Sequence, residues 1–415
     1  MKYFYLTLLL IINITFNANC QKSENVKHPI LINKIDSILS SQIAESKIPG
    51  AVIQVKQNGK IIYSNAFGFA QLFNDQHEKL ATPEILTRFH QFDIASLSKV
   101  VGTTTSIMLL ADQGKINVDD FVGKYIPAFQ NGDKSKITIR HLLTHTSGIH
   151  EWYPMYYKSD NKDSTFKLIA SLPLAYETGT QRKYSDLGFT ILGQIIEVVS
   201  KQTFEEFVDE NVFSPLGMLH SCYNPLQKKL NLPIAATSIG NPYEHRMVYD
   251  TSLNFQFKEI KHEAWNGWRS YTLKGEVNDG NAWYASKGVS GAAGIFSTID
   301  DLQLLVDMLM NQGKIGNKQF ISSNTIKAFL TKDKFNNGLG WMMDPINSFM
   351  KNAPEGTYGH TGFTGTSITI MPSNNISIIL LINRQQIGLL NKKEYYNVNP
   401  IRQEIFKAIL SYCNN

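Results

Sequence analysis

The sequence predicts an α/β fold of the α+β type: an antiparallel sheet flanked by the N- and C-terminal helices, with an inserted helical subdomain. Three observations predict it. Hairpin signals stand near both ends of the chain, at Asn58-Gly59 and at Pro372-Ser373-Asn374-Asn375, each between β-rich runs. Apolar residues at helical spacing flank both hairpins, over residues 29 to 47 and 400 to 412. The stretch between the hairpins is mostly helical and loop-rich. One domain over 29–412 is therefore expected, with its sheet part at about 29–92 and 330–412 and its helical part at about 93–329.

The bulk numbers agree with one large domain. The chain has 415 residues, of which 43% are hydrophobic and 18% charged, enough for a sizeable core. The net charge of +5 is spread, with no run of five basic residues, so no nucleic-acid partner is implied.

The N-terminus reads as a targeting segment. Lys2 precedes a nearly unbroken apolar run from Tyr3 to Phe16, followed by Asn17-Ala18-Asn19. That is the pattern of a signal peptide over 1–19. The run is too short for a stable membrane span. Cys20 resembles a bacterial lipoprotein acceptor, although Asn17 and Asn19 depart from the usual residues. Anchoring through a lipid on Cys20 and ordinary cleavage both stay open. The protein is expected to be exported, to the periplasm or the outer surface. Residues 20–28 read as a polar linker. Cys222 and Cys413 fit one disulfide or two buried thiols.

The elements follow in order. Ile30, Ile32, Ile35, Ile38, Leu39 and Ile43 give the first helix its stripe, and Pro49-Gly50 stops it. Ala51 to Gln57 and Lys60 to Ala66 form the first hairpin. A long apolar helix is expected from Ser96 to about Gln113. Asp186 is expected to cap a helix over Leu187 to Ser200. Phe204 to Val212 is a short helix closed by Pro215-Leu216-Gly217. Residues 225 to 290 read as long loops over a site. Ser297 to Asp301 starts a helix that ends at Gly313. Thr366 to Met371 and Ile376 to Ile382 form the second hairpin, and Pro400 to Tyr412 the last helix.

The chemistry centres on Ser96-Leu97-Ser98-Lys99. On a helix, positions i and i+3 share a face, so Ser96 and Lys99 point into one space. A serine is a poor nucleophile until a neighbour takes its proton. A lysine in an apolar wall can have its pKa lowered enough to help. The bland alternative is a helix cap and a solvated lysine, but Ile94, Ala95, Leu97, Val100 and Val101 make an open surface a poor home for Lys99.

Two later segments hold partners. In Lys183-Tyr184-Ser185-Asp186, a tyrosine near an ammonium would ionise more easily and act as a base; the alternative is a core tyrosine beside a cap. In His360-Thr361-Gly362-Phe363-Thr364-Gly365, glycine-rich backbone beside a strand lets a substrate approach closely. A backbone N–H there can pair with that of Ser96 as an oxyanion hole. His360 is expected to line the site as a donor or a pH-dependent charge. In His141-Leu142-Leu143-Thr144-His145-Thr146-Ser147-Gly148 the two histidines lack a third metal ligand. The run reads as a hydrogen-bonded loop behind the site, and no metal or cofactor is implied.

These motifs together resemble the serine β-lactamase-related family: class C β-lactamases, low-molecular-weight penicillin-binding proteins, and related esterases and D-amino-acid peptidases. Ser96 to Lys99, Tyr184 to Asp186, His360 to Gly362 and the run His141 to Gly148 match its signatures. The likeness spans roughly residues 30 to 410. Gly275 to Ala282 and Gly291 to Thr298 are similar to a branch with weak D-alanyl-D-alanine carboxypeptidases. The resemblance implies a β-lactamase/transpeptidase-like fold and a site between its sheet and helical parts. It makes Ser96 the acylated nucleophile, Lys99 and Tyr184 the acid and base, and the Ser96 and Phe363 N–H groups the oxyanion hole. His360, Gly362, Phe363 and Asp186 would bind substrate.

Two departures matter. His360 replaces a permanent cation, and Asp186 replaces an asparagine that donates to the substrate. Both weaken the case for efficient penicillin hydrolysis. The expected function is an exported serine hydrolase working through a Ser96 acyl-enzyme. The first expectation is a D-Ala-D-Ala carboxypeptidase or related D-amino-acid peptidase, with at most weak β-lactamase activity, on a small-molecule or peptidoglycan-type peptide. The alternatives are a carboxylesterase and a penicillin-binding sensor without turnover.

Overall fold

The computed structural model describes residues 29 to 413, apart from Lys229, Asn254, Gln256 and 345–347. The segments expected as signal peptide and linker, and Cys20, lie outside the described residues. The chain opens with helix α1 (Pro29–Ala44), followed by strands β1 (Gly50–Gln57), β2 (Lys60–Phe73) and β3 (Lys79–Ile85). The middle holds helices α2 (Thr105–Asp112), α3 (Asp186–Ser200), α4 (Pro242–Tyr249) and α5 (Ile299–Met310). Strands β4 (Tyr358–Thr361), β5 (Ser367–Met371) and β6 (Ile376–Ile382) and helix α6 (Asn399–Cys413) close it.

The two hairpins join into one antiparallel sheet of order β4-β5-β6-β1-β2-β3. The seam is β1 against β6, from Ala51 opposite Ile382 to Gln57 opposite Ile376. Alternation then sorts side chains between two cores. Ala51, Ile53, Val55, Ile378, Leu380 and Ile382 pack on the terminal helices through Leu31, Ile35, Leu39, Ile405 and Ile409. Val52, Ile379 and Leu381 face the larger core shared with the middle of the chain. Both faces of β6 are covered, which explains its unbroken Ile-Ser-Ile-Ile-Leu-Leu-Ile run.

Helix α5 falls in the stretch expected to be helical subdomain, yet it backs the sheet. Gln54 Nε2 donates to Gln303 Oε1 at 3.2 Å, and Gln303 Nε2 donates to Ser377 Oγ at 3.2 Å. Strand β3 escapes the sequence pattern because it is an edge strand with Pro83 and mostly half-exposed residues. The helix expected from Ser96 begins as a π-helical turn over Lys99–Thr104 before α2. Helix α3 is capped by Ser185, whose side chain accepts from Gly188 N, rather than by Asp186. Phe204–Val208 continues as a π-helical turn to Phe213. Cys222 is a buried free thiol, and burial pushes its pKa up to about 12.

Ile379 is fully buried at the centre of the sheet. Ile379→Ala should lower the unfolding free energy by about 2–5 kcal/mol, read from the denaturant midpoint.

Candidate active site

The turn that carries Ser96 is fastened from several sides. Phe92–Asp93 pairs antiparallel with Ser297 and Phe296. The chain then reverses at Ala95, whose φ of 46° is left-handed. That conformation costs a non-glycine residue about 1–2 kcal/mol, so something must hold it. Asp93 does so: Oδ1 accepts from Ala95 N at 2.8 Å and Oδ2 from Asn278 N at 2.6 Å. Thr364 Oγ1 donates to Asp93 O at 2.7 Å, and Thr366 Oγ1 to Ile94 O at 3.1 Å. The sheet and the segment around 278 thus both grip the turn.

Lys99 lies one helical turn on and is fully buried. Its Nζ donates to Ser96 Oγ at 2.9 Å and to Ala292 O at 2.8 Å, and lies 2.7 Å from Asp186 Oδ1. An ammonium has three donors, and all three are used. This corrects the expectation of a lowered pKa. Burial alone would lower it, but the charge of Asp186 and the neighbouring Tyr184 outweigh burial and hold Lys99 above its ordinary value. Its three contacts and the Asp186 charge favour the ammonium form.

Tyr184 also departs from expectation. Burial pushes its phenol above the ordinary value, and the Lys99 charge pulls it back only in part. Its Oη is buried without a close hydrogen bond, and Ser96 and Lys99 are the polar groups that face it. The His141–Gly148 run holds Tyr184 in place. His145 Nδ1 accepts from Ser185 N at 3.0 Å, and its ring lies 4.4 Å from that of Tyr184. His145 O accepts from Lys183 N at 3.0 Å. Thr144 and Thr146 bond to each other at 2.9 Å inside the loop. His141 instead completes a capping box with Thr138, so the two histidines do not converge.

The segment after His360 supplies backbone. A Cβ on Gly362 would stand 2.3 Å from Ile94 O, so only glycine fits where the chain crosses the serine turn. The carbonyl of Phe363 accepts from Arg384 Nε at 3.0 Å and Nη2 at 2.7 Å. Among the described residues, no acceptor takes the N–H of Ser96 or of Phe363. Both remain free for a substrate oxygen. Arg384 escaped the sequence reading because nothing local to it signals a role.

His360 is 1% exposed and does not line the cavity beside Ser96. Its Nδ1 donates to Thr361 O at 2.9 Å. Burial first, and then the Lys99 charge, push its pKa down to about 3. It is a neutral buried ring rather than a pH-dependent charge facing substrate.

The cavity has a volume of about 270 Å³ and is lined by Ser96, Tyr184, Asp186 and Phe363 among others. Its remaining polar wall is Asn241, Glu244, Asn278 and Asp279, and its apolar wall includes Trp152, Tyr243, Phe255 and Tyr395. No lysine, arginine or histidine lines it among the described residues. Burial, with the charge of Asp186 behind it, pushes Asp279 up to about 6. Burial and the charge of Asp279 push Glu244 up to about 8. The sequence assigns neither residue a role, although Asp279 lies in the Gly275 to Ala282 segment. Asn241-Pro242 did offer a helix-start signal for α4, which carries Glu244.

A nucleophile, a buried cation and a phenol on this α+β frame define a serine hydrolase site. Residues 35–399 match the family model described as Beta-lactamase, and the chain belongs to this β-lactamase/transpeptidase-fold family of serine hydrolases. It is 33% identical over 389 residues to the N-acetylmuramyl-L-alanine amidase of Bacillus subtilis (strain 168), covering 88% of this chain and 84% of that protein. It is 32% identical over 390 residues to a Salmonella typhimurium protein provisionally named D-alanyl-D-alanine carboxypeptidase, covering 89% and 85%. A penicillin-binding protein homologue from Caulobacter crescentus has the same fold, with a TM-score of 0.66 at 18% identity over 92% of this chain and 97% of that one.

The histidine makes a pH prediction. His360 titrates near 6.5 when unfolded and at about 3 when folded. A depressed folded pKa means its stabilising share is present above about 6.5 and is lost as pH falls below that. Between about pH 7 and about pH 4.5 this loss should reach about 2–3 kcal/mol. His360→Asn keeps a donor for Thr361 O and should lose that much less stability in urea titrations at the two pH values.

Proposed function

We propose that this chain is an exported serine amidase or peptidase. It acts through a Ser96 acyl-enzyme on cell-wall-type amides whose scissile bond has no free carboxylate beside it. One observation carries the substrate reading: among the described residues three acids line the cavity and no lysine, arginine or histidine does. A terminal D-Ala carboxylate, or the carboxylate of a β-lactam, would meet the Asp279 charge, while Lys99 is already paired with Asp186 and no other lysine or arginine lines the cavity among the described residues to balance it. The reading therefore moves from the carboxypeptidase first expected from sequence towards an amidase. The amidase name carried by the Bacillus subtilis relative supports this. The leader-like residues 1–19 support export, and Cys20 remains the candidate lipid site.

The chemistry follows from the resting protonation states. Lys99 Nζ already donates to Ser96 Oγ, so the serine proton points to the Tyr184 phenol. Ser96 Oγ attacks the amide carbon. Its proton passes to Tyr184 Oη as the phenol hands its own proton to the leaving nitrogen. The carbon–nitrogen bond breaks and the amine departs. Tyr184 begins and ends neutral, which suits its raised pKa. Lys99 steadies charge on both oxygens as they change partners. The N–H groups of Ser96 and Phe363 take the oxyanion. Water then attacks the acyl carbon, and its proton returns through Tyr184 to Ser96 Oγ.

Intact-protein mass tests the nucleophile. A fluorophosphonate should add once to the wild type and not to Ser96→Ala, and p-nitrophenyl ester turnover should vanish with it. An unlabelled, folded wild type overturns the proposal. Tyr184→Phe should lower kcat by about 10²–10⁴-fold, because the proton relay is broken. For the substrate, a peptide ending in D-alanine carboxamide should exceed the same peptide with a free D-alanine carboxylate by at least about tenfold in kcat/KM, a difference of about 1.4 kcal/mol. The reverse preference restores the carboxypeptidase reading.

A further inference from the structure

We propose that Glu244 and Asp279 form a receptor for a primary ammonium group of the substrate, next to the reacting carbonyl. The proposal rests on the acyl-enzyme reading and adds a chemical group that the substrate must carry.

The site is built rather than a chance meeting of acids. Glu244 Oε2 accepts from Gly280 N at 2.8 Å, which fixes the carboxyl group. A Cβ on Gly280 would stand 2.3 Å from Glu244 Oε1, so glycine there is what lets Glu244 sit so close. Oε1 is buried and has no hydrogen-bond partner. Tyr156 Oη, which faces Glu244, is also buried and without one. The two atoms face each other without reaching hydrogen-bond geometry, so neither has a settled partner within the protein. Asp279 Oδ1 accepts from Ala282 N at 2.7 Å, and its other oxygen takes no hydrogen bond among the described residues.

The walls suit a cation. The rings of Tyr243, Phe363 and Tyr395 cluster, with centroids 5.5 Å, 5.8 Å and 6.1 Å apart. All three line the cavity, and aromatic faces attract ammonium groups; the Arg384 guanidinium already lies over the Phe363 and Tyr395 rings, 5.3 Å and 5.9 Å from their centroids, outside the cavity lining. Phe363 also offers the candidate oxyanion N–H, so the ammonium would lie near the scissile bond.

The charged neighbours are otherwise engaged. Asp279, Arg269, Tyr156 and Tyr284 face Glu244, whose charge is also felt at Tyr395; Asp186, Lys99 and Arg269 face Asp279. Lys99 is spent on Ser96, Ala292 and Asp186. Arg269 donates to Asn241 Oδ1 and Val277 O, and lies over the Trp283 ring. Neither cation fills the receptor. Glu244, pushed up to about 8, is protonated at neutral pH, so an arriving ammonium would release that proton.

Calorimetry on Ser96→Ala at neutral pH tests this without any chemistry at the serine. The probes are alaninamide, N-acetyl-alaninamide and lactamide, in two buffers of different ionisation heat. Alaninamide should bind at least tenfold tighter than the other two and release protons on binding. In the background of Ser96→Ala, Glu244→Gln should abolish the proton release and weaken alaninamide at least tenfold. Asp279→Asn should weaken it as well, with thermal melts confirming that each variant is folded. Equal binding of lactamide, equal binding of the acetylated probe, or an unchanged Glu244→Gln overturns the receptor. Failure of fluorophosphonate labelling in the wild type would instead strike the acyl-enzyme reading, and the binding result would stand apart from it.

Discussion

Everything in this site depends on one buried ammonium. Lys99 sits in an apolar wall where an unpaired charge would be prohibitive. It is stable there because Ser96, Asp186 and the Ala292 carbonyl take its three donors. The same contacts set the division of labour. A lysine that already donates to Ser96 Oγ cannot accept the serine proton. In the proposed mechanism the role of proton carrier falls to Tyr184, which His145 and the Thr144–Thr146 loop hold in place.

Asp186 is the residue that gives this version of the site its character. By pairing with Lys99 it balances the ammonium beside Ser96. Burial raises the cost of ionising both Asp279 and Glu244; Asp186 adds to it at Asp279, where Lys99 works against it, and Asp279 adds to it at Glu244. The cavity becomes a place where carboxylates are unwelcome and cations are favoured. His360, neutral and buried, adds no counterweight.

Much of this was legible in the sequence, and the reasons are local. Ser96 and Lys99 sit at a spacing that only a helical turn can satisfy. Asn58-Gly59 dictates its hairpin, and the stripe from Ile35 to Leu39 dictates the first helix. What stayed hidden depends on contacts across the chain. Glu244 meets Asp279 through a fold that brings α4 against the segment around Gly280. Arg384 clamps Phe363 from 21 residues away. The protonation of Lys99 and Tyr184 departs from what the sequence suggests because residue types show burial but not pairing. Edge strand β3 was missed because half-exposed residues carry little periodic signal.

The central claim is that Lys99 is a locked cation and Tyr184 the proton carrier. Nitrogen-15 NMR of lysine-labelled protein reads this directly, with Lys99→Met to assign the signal. The account predicts that Lys99 Nζ keeps the shift of a charged ammonium at every pH up to about 10, while the protein stays folded. A titration centred near neutral pH would contradict it. Lys99 would then be a free amine able to deprotonate Ser96 itself.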